Sequence, residues 1–160
     1  MTKPMNQDPN FFTKSSDWVS NINYMHRHYG VHQATESFDS EKLRALLDFR
    51  VRFIEEEFTE LVKASDAGDS EEVVDALIDL CVVAIGTLDI FGVNADAAWQ
   101  QVNNANMAKE VGVKESRPNP LGLPDLVKPE GWTAPCHEGN HGRLPEIGPR
   151  ETDDCQGKLF

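Results

Sequence analysis

The 160-residue chain has no long hydrophobic run. Its longest unbroken apolar stretch, residues 80–85, falls far short of the ~20 residues a membrane helix needs. The first twelve residues lack the apolar segment of an export signal, so the sequence predicts a soluble, cytoplasmic protein with no membrane partner. Cysteine is scarce too. Three cysteines, an odd number, do not make a disulfide framework, and they suit a reducing compartment. Basic residues are in deficit: 15 Lys and Arg against 27 Asp and Glu leave a formal charge of −12 and a pI near 4.7. Such a surface repels phosphate backbones and anionic lipid, so no nucleic-acid polymer is expected as a partner. A phosphate ligand can still bind such a protein where divalent cations bridge the charges. Period-two alternation is nowhere sustained, which leaves an all-α fold.

Glycine and proline are scarce only in one part of the chain. Residues 1–110 hold four Gly and two Pro, whereas residues 111–160 hold seven of each. The division predicts an N-terminal arm over residues 1–15, one all-α domain over 16–110, and an extended Pro/Gly-rich C-terminal tail over 111–160. Four helices fit the domain. The first spans about 16–29, with Ser16 as N-cap and Gly30 as its stop. A long second helix covers 40–67, with Leu43, Leu47, Val51, Ile54, Phe58 and Leu61 in 3/4 spacing and Gly68 closing it. The third runs from Asp69 to about Phe91, and Asn94 caps a fourth that continues to Lys109. Helices two and three should form an antiparallel hairpin within a four-helix protomer.

Carboxylates concentrate on that hairpin. Glu57 and Glu60 border the apolar stripe of helix two, whereas Glu55 and Glu56 turn toward solvent. On helix three, Glu72, Asp75 and Asp79 share one face, and Asp79 is the only charge in an otherwise apolar segment, residues 76–85. An ionised carboxylate there is costly unless something positive compensates it. Glu72 also reads as the partner of Asp69 in a capping box. Arg50 and Arg52 offer a structural ion network instead. Five acids against the one arginine on their face, Arg50, favour a divalent metal, and hard oxygen ligands suit Mg²⁺ or, as a substitute, Mn²⁺. Helix four carries Trp99, Val102, Asn103, Asn106 and Lys109 along one side. Amides and an ammonium are natural partners for phosphate oxygens, while a last-turn lysine also complements the helix dipole.

Glu57-x-x-Glu60 followed by Glu72-x-x-Asp75 across a short helical turn resembles the signature of the MazG-like, all-α nucleoside triphosphate pyrophosphohydrolases. Phe49-Arg50, Asp79, Asn106-Met107-Ala108-Lys109 and Lys128-Pro129-Glu130-Gly131-Trp132 are similar to the small stand-alone phage and bacterial members. The likeness covers about residues 17–132, although the loop between Glu60 and Glu72 is short for the superfamily. The resemblance implies that Glu57, Glu60, Glu72 and Asp75 hold Mg²⁺, that Asp79 completes or orients the metal site, and that Asn106 and Lys109, with Asn103 and Arg50 nearby, contact a triphosphate. The expected reaction is attack of water on the α-phosphorus, with Glu57 and Glu60 catalytic, giving monophosphate and pyrophosphate. A homo-oligomer, dimer or tetramer, is expected to complete the base pocket, with Trp18, Tyr24 and Phe53 as candidate lining. The alternative is a non-catalytic acidic helical module that binds a basic partner.

Two features of the tail stand apart. Trp132 is either an anchor or a stray surface residue. Cys136, His137, His141 and Cys155 have ligand types suited to Zn²⁺, but their spacing matches no strong motif, and unpaired tail residues are the simpler reading.

Overall fold

The computed structural model describes residues 17–149, and among these five α-helices precede a two-stranded ribbon and a 3-10 turn. Helix α1 spans Trp18–His28, and Asp17 caps it by accepting from the Ser20 N–H. The expected cap, Ser16, lies outside the described residues. Gly30 does sit in the left-handed region, at φ 73°, but it opens a further short helix, α2 (Val31–Thr35), instead of a loop. Five residues are too few to display helical periodicity, so four expected helices become five.

Helix α3 covers Ser40–Ala67 and α4 covers Ser70–Ile90. Gly68 adopts φ 69°, and the Gly68 and Asp69 N–H groups return to the Ser65 and Ala64 carbonyls, closing α3. Asp69 then caps α4 through the Glu72 N–H. One residue therefore ends the turn and starts the next helix, which sets α3 and α4 side by side as a hairpin. Helix α5 (Ala95–Met107) starts from the Asn94 cap and turns 120° away from α4. It ends two residues before Lys109. None of the described helices alone is long and apolar enough to cross a membrane.

The core lies at one end of the hairpin. Leu43, Phe91 and Val93 are buried there, with Phe38, Leu46, Leu47, Leu88, Leu144 and Ile147 packed around them. Leu144 and Ile147 belong to the tail, which folds back from its 3-10 turn at Leu144–Glu146. Arg143 fixes that return by donating to the Thr35 and Phe38 carbonyls and pairing with Glu146. Asn140 exchanges hydrogen bonds with the backbone of Asn94. Gly142 is required here: at φ 52°, an added Cβ would lie 2.0 Å from the Phe91 carbonyl oxygen.

Two short strands also occur where none was expected. β1 (Glu110–Gly112) pairs antiparallel with β2 (Asp125–Val127), three residues each, too short to show alternation in sequence. Trp132 docks: its Nε1 donates to the Ala105 carbonyl at 2.7 Å, and Lys128 sits 4.4 Å above the ring. The other end of the hairpin is bare. Phe58, Val62, Val74, Leu77 and Ile78 are all exposed in the single chain. The apolar segment 76–85 of α4 is thus only partly covered by its own chain, with Leu77 and Ile78 exposed and Val83 buried.

Candidate active site

The bare half of the hairpin carries the acids. Glu57 from α3 lies close enough to Asp79, Glu60, Glu56 and Asp75 to feel their charge, and its Oε2 is buried without a hydrogen-bond partner. Desolvation first, and those neighbouring carboxylates second, push the Glu57 carboxyl above its ordinary range. Geometry accounts for this. With α3 and α4 antiparallel about the Gly68 turn, Glu60 faces the level of Asp75 and Glu57 that of Asp79. Glu72 sits nearer the turn, exposed, with its N–H taken by Asp69. Half of the expected capping box is therefore present.

Arg50 continues the register one turn beyond Asp79. Its Nε donates to Thr87 Oγ1 at 3.0 Å and its Nη2 to the Val83 carbonyl at 2.8 Å, so these donors serve α4 and do not neutralise the acids. Phe53 packs against Phe49 at 4.4 Å between ring centroids, the rings tilted by 47°, and Arg50 lies over Phe53. Trp18 and Tyr24 are exposed on α1. Just past the end of α5, Lys109 Nζ donates to Asn106 Oδ1 at 2.9 Å and lies 5.8 Å from the Trp132 ring centroid. The tail thus holds the lysine against the amide. Asn106 is exposed and Asn103 half-buried. Among the described residues, no ion pair or hydrogen bond joins Asn103, Asn106 or Lys109 to the acids within one chain, as the 120° turn of α5 leads one to expect.

Several carboxylates and no counter-cation do fit a hard divalent ion. An orphaned, buried carboxylate oxygen facing like charges is the arrangement such an ion relieves. The acids are not drawn together as a finished cage, however. Among the described residues, the group of His, Cys, Asp or Glu with ligand atoms within 4.8 Å of one another is a different one, His26, His32 and Asp89. That cluster carried only a faint sequence signal. Asp89 is, after Asp79, the second charge in the apolar part of α4 beyond Asp75, but nothing in the spacing points to histidines 57 and 63 residues away. In the tail, Cys136 is exposed and His137 keeps a buried Nδ1 without a partner, but neither joins such a group; Cys155 lies outside the described residues.

The described residues form a helical hairpin that carries carboxylates on both facing helices, the arrangement the resemblance in sequence led one to expect of an all-α pyrophosphohydrolase. The family model described as phosphoribosyl-ATP pyrophosphohydrolase matches residues 27–106, half of the chain, and the chain belongs to this family, within the MazG-like all-α superfamily. It is a family of nucleotide pyrophosphohydrolases that typically depend on a divalent metal. No curated protein matches the chain at a significant level.

Proposed function

We propose that the chain is a Mg²⁺-dependent, cytoplasmic nucleoside triphosphate pyrophosphohydrolase that converts a ribo- or deoxyribonucleoside triphosphate and water to monophosphate and pyrophosphate. The observation that carries this reading is the buried, unpartnered Oε2 of Glu57 among Asp79, Glu60 and Asp75, in a chain of a pyrophosphohydrolase family. Glu57, Glu60, Glu72, Asp75 and Asp79 would hold the ion, with Mn²⁺ as a substitute. When bound, Mg²⁺ supplies positive charge against the phosphate oxygens and acidity to a nearby water. Glu57 orients the attacking water and accepts its proton. Glu60 assists from one turn away. Asn103, Asn106 and Lys109 bind triphosphate oxygens, and Arg50 borders the inner end of the stripe beside the substrate.

A single chain leaves these halves apart. The exposed apolar residues Phe58, Val62, Val74, Leu77 and Ile78 flank the acids, so pairing of two copies buries them and offers one copy's α5 to the other's stripe. A homo-oligomer, at least a dimer, follows.

The family model is named for phosphoribosyl-ATP, itself a derivative of a nucleoside triphosphate, so that compound belongs in the screen beside the common ribo- and deoxyribonucleotides. The test is product analysis with Mg²⁺. Pyrophosphate and monophosphate released by the wild type and lost in Glu60→Gln support the proposal. A chain inert toward every compound points instead to a non-catalytic acidic helical module.

A further inference from the structure

Ten residues beyond Asp79, about 15 Å further along α4, a second set of ligand-type side chains meets. Asp89 Oδ2 lies 2.6 Å from His26 Nδ1 and 2.7 Å from His32 Nε2, while Asp89 Oδ1 accepts from Asn23 Nδ2 at 2.6 Å. Three helices, α1, α2 and α4, supply these groups. The side chains of His26 and Asp89 are nine-tenths buried, and His32 is about one-third exposed. His32 and Asp89 line an open cleft of about 940 Å³ that Asn23, Asn94 and Arg143 also border.

We propose that His26 Nδ1, His32 Nε2 and Asp89 Oδ2 form a site for one first-row transition dication, Zn²⁺ foremost, with its remaining coordination position open to the cleft. Two imidazoles and one carboxylate are the donor set of an open zinc site and a poor one for Mg²⁺, which prefers oxygen. The outer contact is in place as well. Asn23 holds the carboxylate oxygen that would not ligate, and such contacts orient metal ligands. Gly86 makes room for the buried imidazole, since a Cβ there would lie 3.1 Å from His26 Cε1. The present N···O separations are hydrogen-bond lengths. Coordination at about 2.0–2.1 Å spreads the donors to roughly 3.3 Å, and His32, on the short helix α2, is the ligand free to move outward. Each imidazole then offers a lone pair at the ligating nitrogen and carries its proton on the other. The site is independent of the acidic stripe, and it would pin α1 and α2 to α4 at the core end of the hairpin.

Metal-stripped full-length protein titrated with Co²⁺ in excess Mg²⁺, which keeps the oxygen-ligated stripe filled, tests the proposal without any assay of activity. The expected result is one equivalent bound with visible absorption bands, displaced by Zn²⁺, unchanged in Asp75→Asn, weakened about 10- to 100-fold in Asn23→Ala, and lost in His32→Ala. X-ray absorption of the Zn²⁺-loaded wild type provides a check that needs no variant to fold. A first shell with two imidazoles supports the site. An all-oxygen shell, a sulfur ligand from the tail, no stoichiometric binding, or binding that survives His32→Ala overturns it.

Discussion

The two ends of the α3–α4 hairpin are built from similar materials and do opposite things with them. At the core end three charged groups are held by the fold: Asp89 by Asn23, His26 and His32, Arg50 by Val83 and Thr87, and Arg143 by two backbone carbonyls and Glu146. At the turn end Glu57 faces other carboxylates with a buried oxygen unpaired, and large apolar residues lie open beside it. Burial raises the proton affinity of both carboxylates. At Asp89 three hydrogen bonds and the charge of His32 outweigh burial and hold the carboxyl below its ordinary range; at Glu57 burial and the neighbouring acids act together. One end is a finished structure. The other is left open, and the proposed function gives it a cation and a second chain.

The largest effect should separate the ends directly. Phe91→Ala removes a fully buried ring and should cost about 3–5 kcal/mol in urea unfolding. Phe58→Ala, exposed by 58%, should cost the isolated chain within about 0.5 kcal/mol and instead weaken self-association in light scattering. Equal losses in unfolding would break the comparison. Next comes the ion. At a hundredfold excess over its Kd, Mg²⁺ should stabilise the fold by about 2.7 kcal/mol, and Asp79→Asn should reduce that gain while leaving the metal-free chain no less stable. Melting that ignores Mg²⁺ would remove the stripe from the account.

A smaller loss, about 1–3 kcal/mol, is expected for Arg143→Ala, which strands the Thr35 and Phe38 carbonyls where the tail returns to the core. Chemical denaturation reads it. The smallest effect depends on pH. Because the folded chain binds the Glu57 proton more tightly than the unfolded chain, ionised Glu57 opposes folding above its folded pKa. That opposition fades as pH falls through the folded value and is gone below the ordinary carboxylate range. Glu57→Gln should therefore raise the metal-free Tm near neutral pH and leave it unchanged near pH 4. Asp89 has the reverse sign. Its lowered pKa contributes stability above the ordinary range that disappears as pH falls through the folded value, so Asp89→Asn should lower the Tm at neutral pH.

Where the sequence was legible, a local rule sufficed. The bounds of α3, its Gly68 closure and the Asp69 start of α4 follow from spacing and cap chemistry within a few residues. The acids were visible for the same reason: a charge in an apolar helix stands out against its neighbours. Helix α2 and the three-residue strands escaped because elements that short carry no period. The Asp89 cluster and the tail's return escaped because each joins residues far apart in the chain; Arg143 bonds to carbonyls more than 100 positions upstream. Long-range partners are a product of folding and leave little trace in local pattern.

Mixing two inactive variants tests most directly whether the turn end is a catalytic site completed by a second copy. Asp75→Asn removes an acid of the stripe and Lys109→Ala removes the ammonium just past the end of α5. Unfolded and refolded together, the two should regain about a quarter of the wild-type rate of Mg²⁺-dependent pyrophosphate release, because random pairing restores one intact site in half of the dimers. A refolded mixture as inactive as its parts would contradict the account.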